Sequence, residues 1–114
     1  MRTKEYKIEV RLWIEETEGP FLGIGKIWLL ENIEKTGSIT NAAKEMKMAY
    51  RQAWQLVKEM NERSELPLVE KVLGGKNGGG ARLTDSGKNA IKTFYDIEKR
   101  IKNFAQKETE KLKF

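Results

Sequence analysis

The sequence predicts a mainly α-helical fold with a small β-sheet, and three features of the chain lead to this prediction. Residues 37–62 hold two apolar patterns of helical period, separated by only the three residues 47–49. A short β-prone run with a glycine-rich tip follows this unit, as expected of a hairpin. A long amphipathic pattern begins after Thr84. In this order the elements predict a winged helix-turn-helix with an N-terminal strand and a long C-terminal helix.

The first third of the chain predicts one strand and one helix. Apolar and polar residues alternate over 6–14, which is the pattern of a half-buried strand. Gly19 and Pro20 indicate a turn or loop over 15–20. A helix is expected over about 25–35, and Gly37 is expected to cap its C-terminus.

Residues 37–62 predict two helices with a shared core. The first covers about 39–46, with Ser38 as the N-terminal cap, and the second covers about 50–61. Because the connection is so short, the helices must cross steeply. This is the helix-turn-helix geometry, in which the second helix enters the DNA major groove.

The polar face of the second helix carries the residues expected to read DNA. Arg51, Gln52, Gln55 and Lys58 stand off the apolar stripe, and Tyr50 begins the helix. Guanidinium and amide groups suit base edges and phosphates. We predict base reading for Tyr50, Arg51, Gln52 and Gln55, and a backbone contact for Lys58. The alternative is an ordinary solvated face.

Four further side chains of the two-helix unit have expected roles that follow from their positions. Thr40 and Lys44 on the first helix are predicted to contact backbone phosphates, although Thr40 could equally be a capping residue, as could Asn41. Trp54 lies on the apolar stripe of the second helix, so we expect it in the core rather than on DNA.

The segment after the second helix predicts a wing. A short strand over 68–73, a glycine-rich tip over 74–80 and a return strand over 81–83 form a hairpin. Lys76 at the tip and Arg82 beside it are predicted to contact the DNA backbone. Glycine loops also cradle phosphates in nucleotide-binding proteins, but the tip lacks the G-x-x-x-x-G-K-[ST] pattern, and the chain has too few strands for a parallel sheet.

The last helix is predicted to be longer than a small domain needs. Thr84 caps it, and a helix reaching about Lys111 would span about 40 Å. We expect its distal stripe, 101–112, to pack on another subunit. The alternative is a frayed basic tail beyond Phe104. The predicted division is therefore a DNA-binding domain over 1–87 and a dimerisation arm over 88–114.

Composition excludes several functional classes. The 114 residues include no cysteine and no histidine, which excludes disulfides, the usual zinc sites and a Ser-His or Cys-His nucleophile. We expect no metal, no cofactor and no enzymatic activity. No apolar run approaches 18 residues and no signal-peptide pattern opens the chain, so a soluble, cytoplasmic protein is expected, without a membrane partner.

Positive charge is concentrated where DNA would lie. The formal net charge is +5, yet residues 1–36 carry 7 acidic and 6 basic groups. Residues 37–83 and 84–114 each carry 8 basic and 5 acidic groups. A basic face attracts polyanions, of which nucleic acid is the commonest, although +5 is also ordinary for a small soluble protein.

The sequence resembles the N-terminal DNA-binding domain of the molybdate-responsive ModE-type transcriptional regulators, relatives of the LysR-type winged helices. The segments that carry the resemblance are RLW (11–13), GPFLGIG (19–25), LLENIEKTGSITNAA (29–43), AYRQAW (49–54), VKEMN (57–61), PLVEK (67–71) and GGKNGGGARLTDSG (74–87). The resemblance implies a regulator that binds operator DNA as a two-fold dimer. It also implies dimer contacts by the N-terminal part and the long last helix.

Two departures from that family pattern bear on function. The recognition helix of the family usually opens Ser-Tyr-Arg-Arg, where this chain has Ala49, Tyr50, Arg51 and Gln52, so the operator sequence of the family does not carry over directly. Full-length members continue into molybdate-binding domains, whereas this chain stops at Phe114. The resemblance therefore supports DNA binding but does not support molybdate sensing. Constitutive action, control by abundance and a separate effector-sensing protein all remain open.

The sequence as a whole predicts a homodimeric, sequence-specific regulator that binds double-stranded DNA. The alternatives are a protein-interaction module that keeps the winged-helix fold and a DNA-binding protein without sequence preference.

Overall fold

A computed structural model describes residues 3–73 and 79–114. In this part of the chain the elements run strand, strand, three helices, strand, strand, long helix. They are β1 (Trp13–Glu16), β2 (Gly19–Gly23), α1 (Ile24–Thr36), α2 (Ile39–Glu45), α3 (Tyr50–Arg63), β3 (Val69–Val72), β4 (Gly80–Leu83) and α4 (Asp85–Thr109). The strands form two antiparallel pairs, β1 with β2 and β3 with β4. The predicted winged helix-turn-helix is confirmed.

The N-terminal region differs from the prediction. Regular strand begins only at Trp13, and the expected loop over 15–20 lies mostly within the β1–β2 hairpin, which turns at 17–18 and has a bulge after Ile14. On the apolar side predicted over 6–14, Ile8, Leu12 and Ile14 are partly buried, whereas Tyr6 and Val10 are exposed. The first part of this segment lies against α4 instead of a neighbouring strand, and the Ile8 amide donates to Thr109 Oγ1 at 3.0 Å.

The predicted helix caps are confirmed. Gly37 ends α1 in the left-handed conformation, with φ of 75°, and its amide donates to the Ile33 carbonyl. The Ser38 hydroxyl accepts from the Asn41 amide at 2.8 Å, and the Thr84 hydroxyl accepts from the Gly87 amide at 3.0 Å. Each hydroxyl satisfies an amide that has no partner within its own helix.

Helices α2 and α3 meet through small side chains. Ala42, Ala43 and Ala53 are buried, so the two backbones can approach closely. The connection turns at Lys47, whose φ is 53°, and the Met48 amide donates to the Ala43 carbonyl. Around this contact a single core forms from α1, α2, α3, both hairpins and the first part of α4.

The wing is fixed to the helices at two points. The Ala81 amide donates to the Gly37 carbonyl at 2.9 Å, which joins β4 to the α1–α2 corner. Asn61 near the end of α3 bonds the start of β3, because its Oδ1 accepts from the Leu68 and Val69 amides, and its Nδ2 donates to the Val69 carbonyl. The first strand of the wing therefore has a fixed position relative to α3.

The distal part of α4 leaves the core, and the extended N-terminal segment runs along it. We call residues 3–12 and 98–114 the stalk, and the rest of the described chain the body. Helix α4 continues through Phe104 to Thr109, so the tail is not frayed there. The distal stripe was expected to pack on another subunit, but part of it is covered by its own chain: Ala105 is 6% exposed and lies in a groove with residues 7–10.

Candidate nucleic-acid interface

All five predicted DNA-contacting residues of α3 are exposed to solvent. Ala53, Val57 and Met60 are buried on the inner face. Arg51, Gln52, Gln55 and Lys58 are exposed on the rest of the helix surface, as is Glu62, and Tyr50 is exposed where the helix begins, at the edge of the buried stripe. Burial of the inner face fixes the rotation of the helix, so the polar face points away from the core. The Gln55 amide donates to Glu59 Oε1 at 3.2 Å, one turn further along.

Helix α2 adds a second polar surface beside α3. Thr40 and Lys44 are exposed and four residues apart, which places them on one side of the helix. Ser38 is the N-terminal cap of α2. The alternative, in which Thr40 or Asn41 caps the helix, is therefore wrong. Both α2 side chains therefore remain candidates for phosphate contact.

The wing contributes Arg82, which pairs across the two strands. Its Nε lies 2.7 Å from Glu70 Oε1, and the two residues face each other in the β3–β4 register. Both side chains are substantially exposed, so the pair contributes at most about 1 kcal/mol and leaves the guanidinium accessible. The predicted contact of Lys76 lies outside the described residues.

Trp54 corrects a prediction, because it is not part of the buried core. Its side chain is half-buried, its indole Nε1 donates to the Tyr50 hydroxyl, and Lys71 Nζ lies 4.7 Å from its ring centroid. The buried positions of α3 are 53, 57 and 60, and Trp54 sits at the edge of that stripe, where the neighbouring surface is the wing. Periodicity identifies the stripe but not what covers its edge.

Lys71 is the functional candidate that the sequence reasoning missed. It lies on β3, is exposed, and places a cation beside Trp54 near the start of α3. The signal that could have found it is its position in the first strand of the predicted wing, close to the glycine-rich tip that drew attention to Lys76.

These elements enclose a cleft of about 300 Å³ between the starts of α2 and α3 and the wing. Its lining includes Ser38 and Thr40 from α2, Tyr50 and Trp54 from α3, and Lys71 from β3. Hydroxyl, indole and ammonium groups thus converge from three elements. Such a surface can offer hydrogen-bond donors and a positive charge to a polyanion.

A second cluster of basic residues has a structural role. Lys26 Nζ and the Arg63 guanidinium both donate to the Pro20 carbonyl, which holds the β1–β2 hairpin against α1 and α3. Burial lowers the pKa of Lys26; the nearby Glu59 carboxylate opposes this and Arg63 adds to it. This cluster lies at the C-terminal end of α3, away from Tyr50. Its two cations stabilise the packing of the hairpin and are not part of the candidate interface.

Within residues 3–73 and 79–114, no three or more acidic side chains come together in a way that could hold a metal ion. Nor does any helix in these ranges combine the length and the apolar character that crossing a bilayer requires.

Comparison with known proteins agrees with this geometry. The family model described as "Bacterial regulatory helix-turn-helix protein, lysR family" matches residues 26–88, which include most of α1 and all of α2, α3 and the wing strands. The chain is 39% identical over 88 residues to "Molybdenum transport protein ModE" of Azotobacter vinelandii, covering 77% of this chain and 33% of that protein.

Two further relatives carry names that refer to regulation. The chain is 37% identical over 97 residues to "Transcriptional regulator ModE" of Haemophilus influenzae, covering 85% of this chain and 38% of the relative. It is 39% identical over 97 residues to "DNA-binding transcriptional dual regulator ModE" of Escherichia coli K12, covering 85% and 37%. The chain thus spans just over a third of the length of these relatives. It belongs to the lysR-type family of bacterial regulatory helix-turn-helix proteins, a family of DNA-binding transcriptional regulators.

Proposed function

We propose that this chain binds a specific double-stranded DNA sequence as a homodimer and regulates transcription from it. The observation that carries the proposal is the exposed polar face of α3, held outward by the burial of Ala53, Val57 and Met60. A helix fixed in this way, with a wing beside its start, has the geometry of a major-groove reader.

The proposed contacts divide into two groups by chemistry. Tyr50, Arg51, Gln52 and Gln55 lie on the first turns of α3, the part of a recognition helix that reaches base edges. The second group contacts the DNA backbone, where charge and hydroxyl groups matter more than sequence. Its members are Thr40, Lys44, Lys58, Lys76 and Arg82.

The proposed dimer rests on the surface of the stalk. Phe104 is 65% exposed on α4, and Tyr6 and Val10 of the N-terminal segment are also large exposed hydrophobic residues. Apolar side chains of this size on one projecting region favour a partner that covers them. We place the DNA-binding domain in residues 1–87 and the dimerisation arm in 88–114.

Selection of bound duplexes from a random pool tests the proposal. The selection is run at two salt concentrations, and sedimentation measures the oligomeric state in parallel. We expect an inverted repeat whose half-sites are about one helical turn, roughly 34–36 Å, apart. Binding that depends on salt but enriches no sequence would favour a DNA-binding protein without sequence preference. Absence of binding would favour a protein-interaction module.

Substitutions in α3 and α2 separate base reading from phosphate contact. Arg51→Ala should weaken operator binding by about 1–3 kcal/mol and relax the preference at one base pair. Lys44→Ala should weaken binding to all sequences alike and reduce the salt slope by about one unit. Lys35→Ala removes an equal charge from an exposed position of α1, outside the proposed DNA contacts and the proposed dimerisation arm, and is the matched control. If Arg51→Ala changed neither affinity nor preference, α3 would not be the reading helix.

An effector can be tested in the same assay. The relative in Azotobacter vinelandii is named for molybdenum transport. Adding molybdate to the operator-binding assay asks whether this chain responds to that ion. A changed affinity would indicate that this chain responds to molybdate, whereas an unchanged affinity would favour constitutive action, control by abundance or a separate effector-sensing protein.

A further inference from the structure

We propose that Trp54 is a positioning residue that makes the Tyr50 hydroxyl an obligatory hydrogen-bond donor toward DNA and thereby sets base preference at one position of each half-site. The inference rests on the proposed DNA-reading role of α3 and adds a residue that does not itself touch a base. It begins from the bond that Trp54 Nε1 donates to the Tyr50 hydroxyl.

The direction of that bond follows from the chemistry of the two groups. An indole N–H can only donate, whereas a phenol hydroxyl can both donate and accept. The Tyr50 oxygen must therefore accept from Trp54. Its single proton then remains for another acceptor, and Tyr50 is 49% exposed at the first turn of α3.

A hydroxyl fixed as a donor discriminates between base edges. The major groove offers acceptors at N7 and O6 of guanine, N7 of adenine and O4 of thymine, and donors at the amino groups of cytosine and adenine. An unconstrained tyrosine could rotate its proton to suit either kind. Because the indole occupies the accepting side of the oxygen, Tyr50 favours acceptors and opposes donors.

The position of the indole is fixed from two elements. Trp54 follows Tyr50 by four residues on α3, so the two side chains lie on the same side of the helix. On its other side, the Lys71 ammonium of β3 lies 4.7 Å from the ring centroid, within the range of a cation–π contact. The Tyr50 hydroxyl is therefore held by the helix and by the wing together.

A double-mutant cycle tests the coupling. Tyr50→Phe, Trp54→Phe and the double variant are measured by fluorescence anisotropy on the selected operator and on its single base-pair variants. Trp54→Phe keeps a ring but loses the N–H, and we expect the preference at one base pair to fall about three- to tenfold. In the Tyr50→Phe background the same substitution should change nothing at that position. Trp28→Phe, an exposed indole on α1, is the matched control and should leave the preference intact.

The outcomes distinguish this inference from the proposed function. Equal loss from Trp54→Phe in both backgrounds would mean that the indole acts through packing alone, and the inference would be wrong while sequence-specific binding stood. A wild-type protein that selects no sequence would instead remove the proposed function. Circular dichroism checks that each variant folds. Should Trp54→Phe not fold, Tyr50→Phe alone must relax the preference at one position, and an unchanged preference would overturn the inference.

Discussion

The body and the stalk use the same helix in opposite ways. Phe94 of α4 is fully buried in the body, whereas Phe104, ten residues further along, is 65% exposed in the stalk. The body buries the core around α1, α2 and α3, while Ala105 is the one buried hydrophobic residue among the described residues of the stalk. An unbroken apolar stripe thus passes from a closed core to an open surface.

This difference indicates how the two regions are stabilised. The body closes its own core, so its stability should be independent of protein concentration. The stalk is held to its own chain by the Ile8–Thr109 hydrogen bond and by the edge-to-face contact of Tyr6 with Phe114, whose ring centroids are 5.2 Å apart. Its remaining apolar surface needs a second copy in the proposed dimer, and stability there should depend on concentration.

Phe94→Ala should have the largest effect on folding. Removing a fully buried phenylalanine loses its transfer free energy and leaves a cavity, which costs about 3–5 kcal/mol. Urea unfolding followed by circular dichroism measures the loss, and the shift of the midpoint should be the same at low and high protein concentration. A shift that shrank on dilution would mean that the core of the body is itself completed by the partner.

Phe104→Ala is the same substitution in the stalk and should act on association instead. We expect the free energy of unfolding of the dilute chain to change by less than about 1 kcal/mol, because the side chain is mostly exposed. The dimer dissociation constant, measured by sedimentation equilibrium, should rise at least about tenfold, or about 1.4 kcal/mol. Leu66→Ala, an apolar residue of the body with the same 65% exposure, is the control and should leave the dissociation constant unchanged. An unchanged dissociation constant would exclude this face from the dimer.

The same contrast explains which features could be predicted from the sequence. The caps at Gly37, Ser38 and Thr84 depend on local chemistry, and the helix-turn-helix depends on two adjacent apolar stripes. Both features could therefore be predicted from the sequence. The environment of the N-terminal segment could not be predicted, because alternation indicates an apolar side but not whether a strand or a helix packs against it. The β1–β2 hairpin was missed since Gly19 and Pro20 suggested a turn where β2 begins.

Trp54 shows the corresponding limit within the candidate site. Its place on the apolar stripe of α3 predicted burial in the core. No local pattern could reveal that Trp54 lies at the edge of this stripe, beside the wing. The long-range contact with Lys71 decides the environment of the indole. The exposed polar face of α3, in contrast, followed from the spacing of its apolar residues alone.

Tyr95 provides the smallest effect and tests how firmly α4 is held to α1 within the body. Its hydroxyl donates to Glu31 Oε1 at 2.7 Å, so an ionised phenolate would face a carboxylate. Burial is the largest cause that raises the pKa of Tyr95 to about 12, and the hydrogen bond and charge of Glu31 and the charge of Glu98 add to it. A hydrogen bond from Trp28 acts in the opposite direction.

The pH dependence follows from the sign of that shift. In the unfolded chain Tyr95 ionises near its ordinary pKa of 10.0, whereas in the folded chain the proton is held to about 12. Its contribution to stability is therefore complete below about pH 10 and is lost as pH rises toward 12. The difference in urea midpoint between wild type and Tyr95→Phe should stay constant from pH 7 to about 9.5. Above that pH, the midpoint of wild type should fall steadily relative to that of Tyr95→Phe. The titration of all other groups cancels in this comparison. Parallel curves up to pH 12 would mean that the contact between α1 and α4 does not hold the phenol proton in the folded chain.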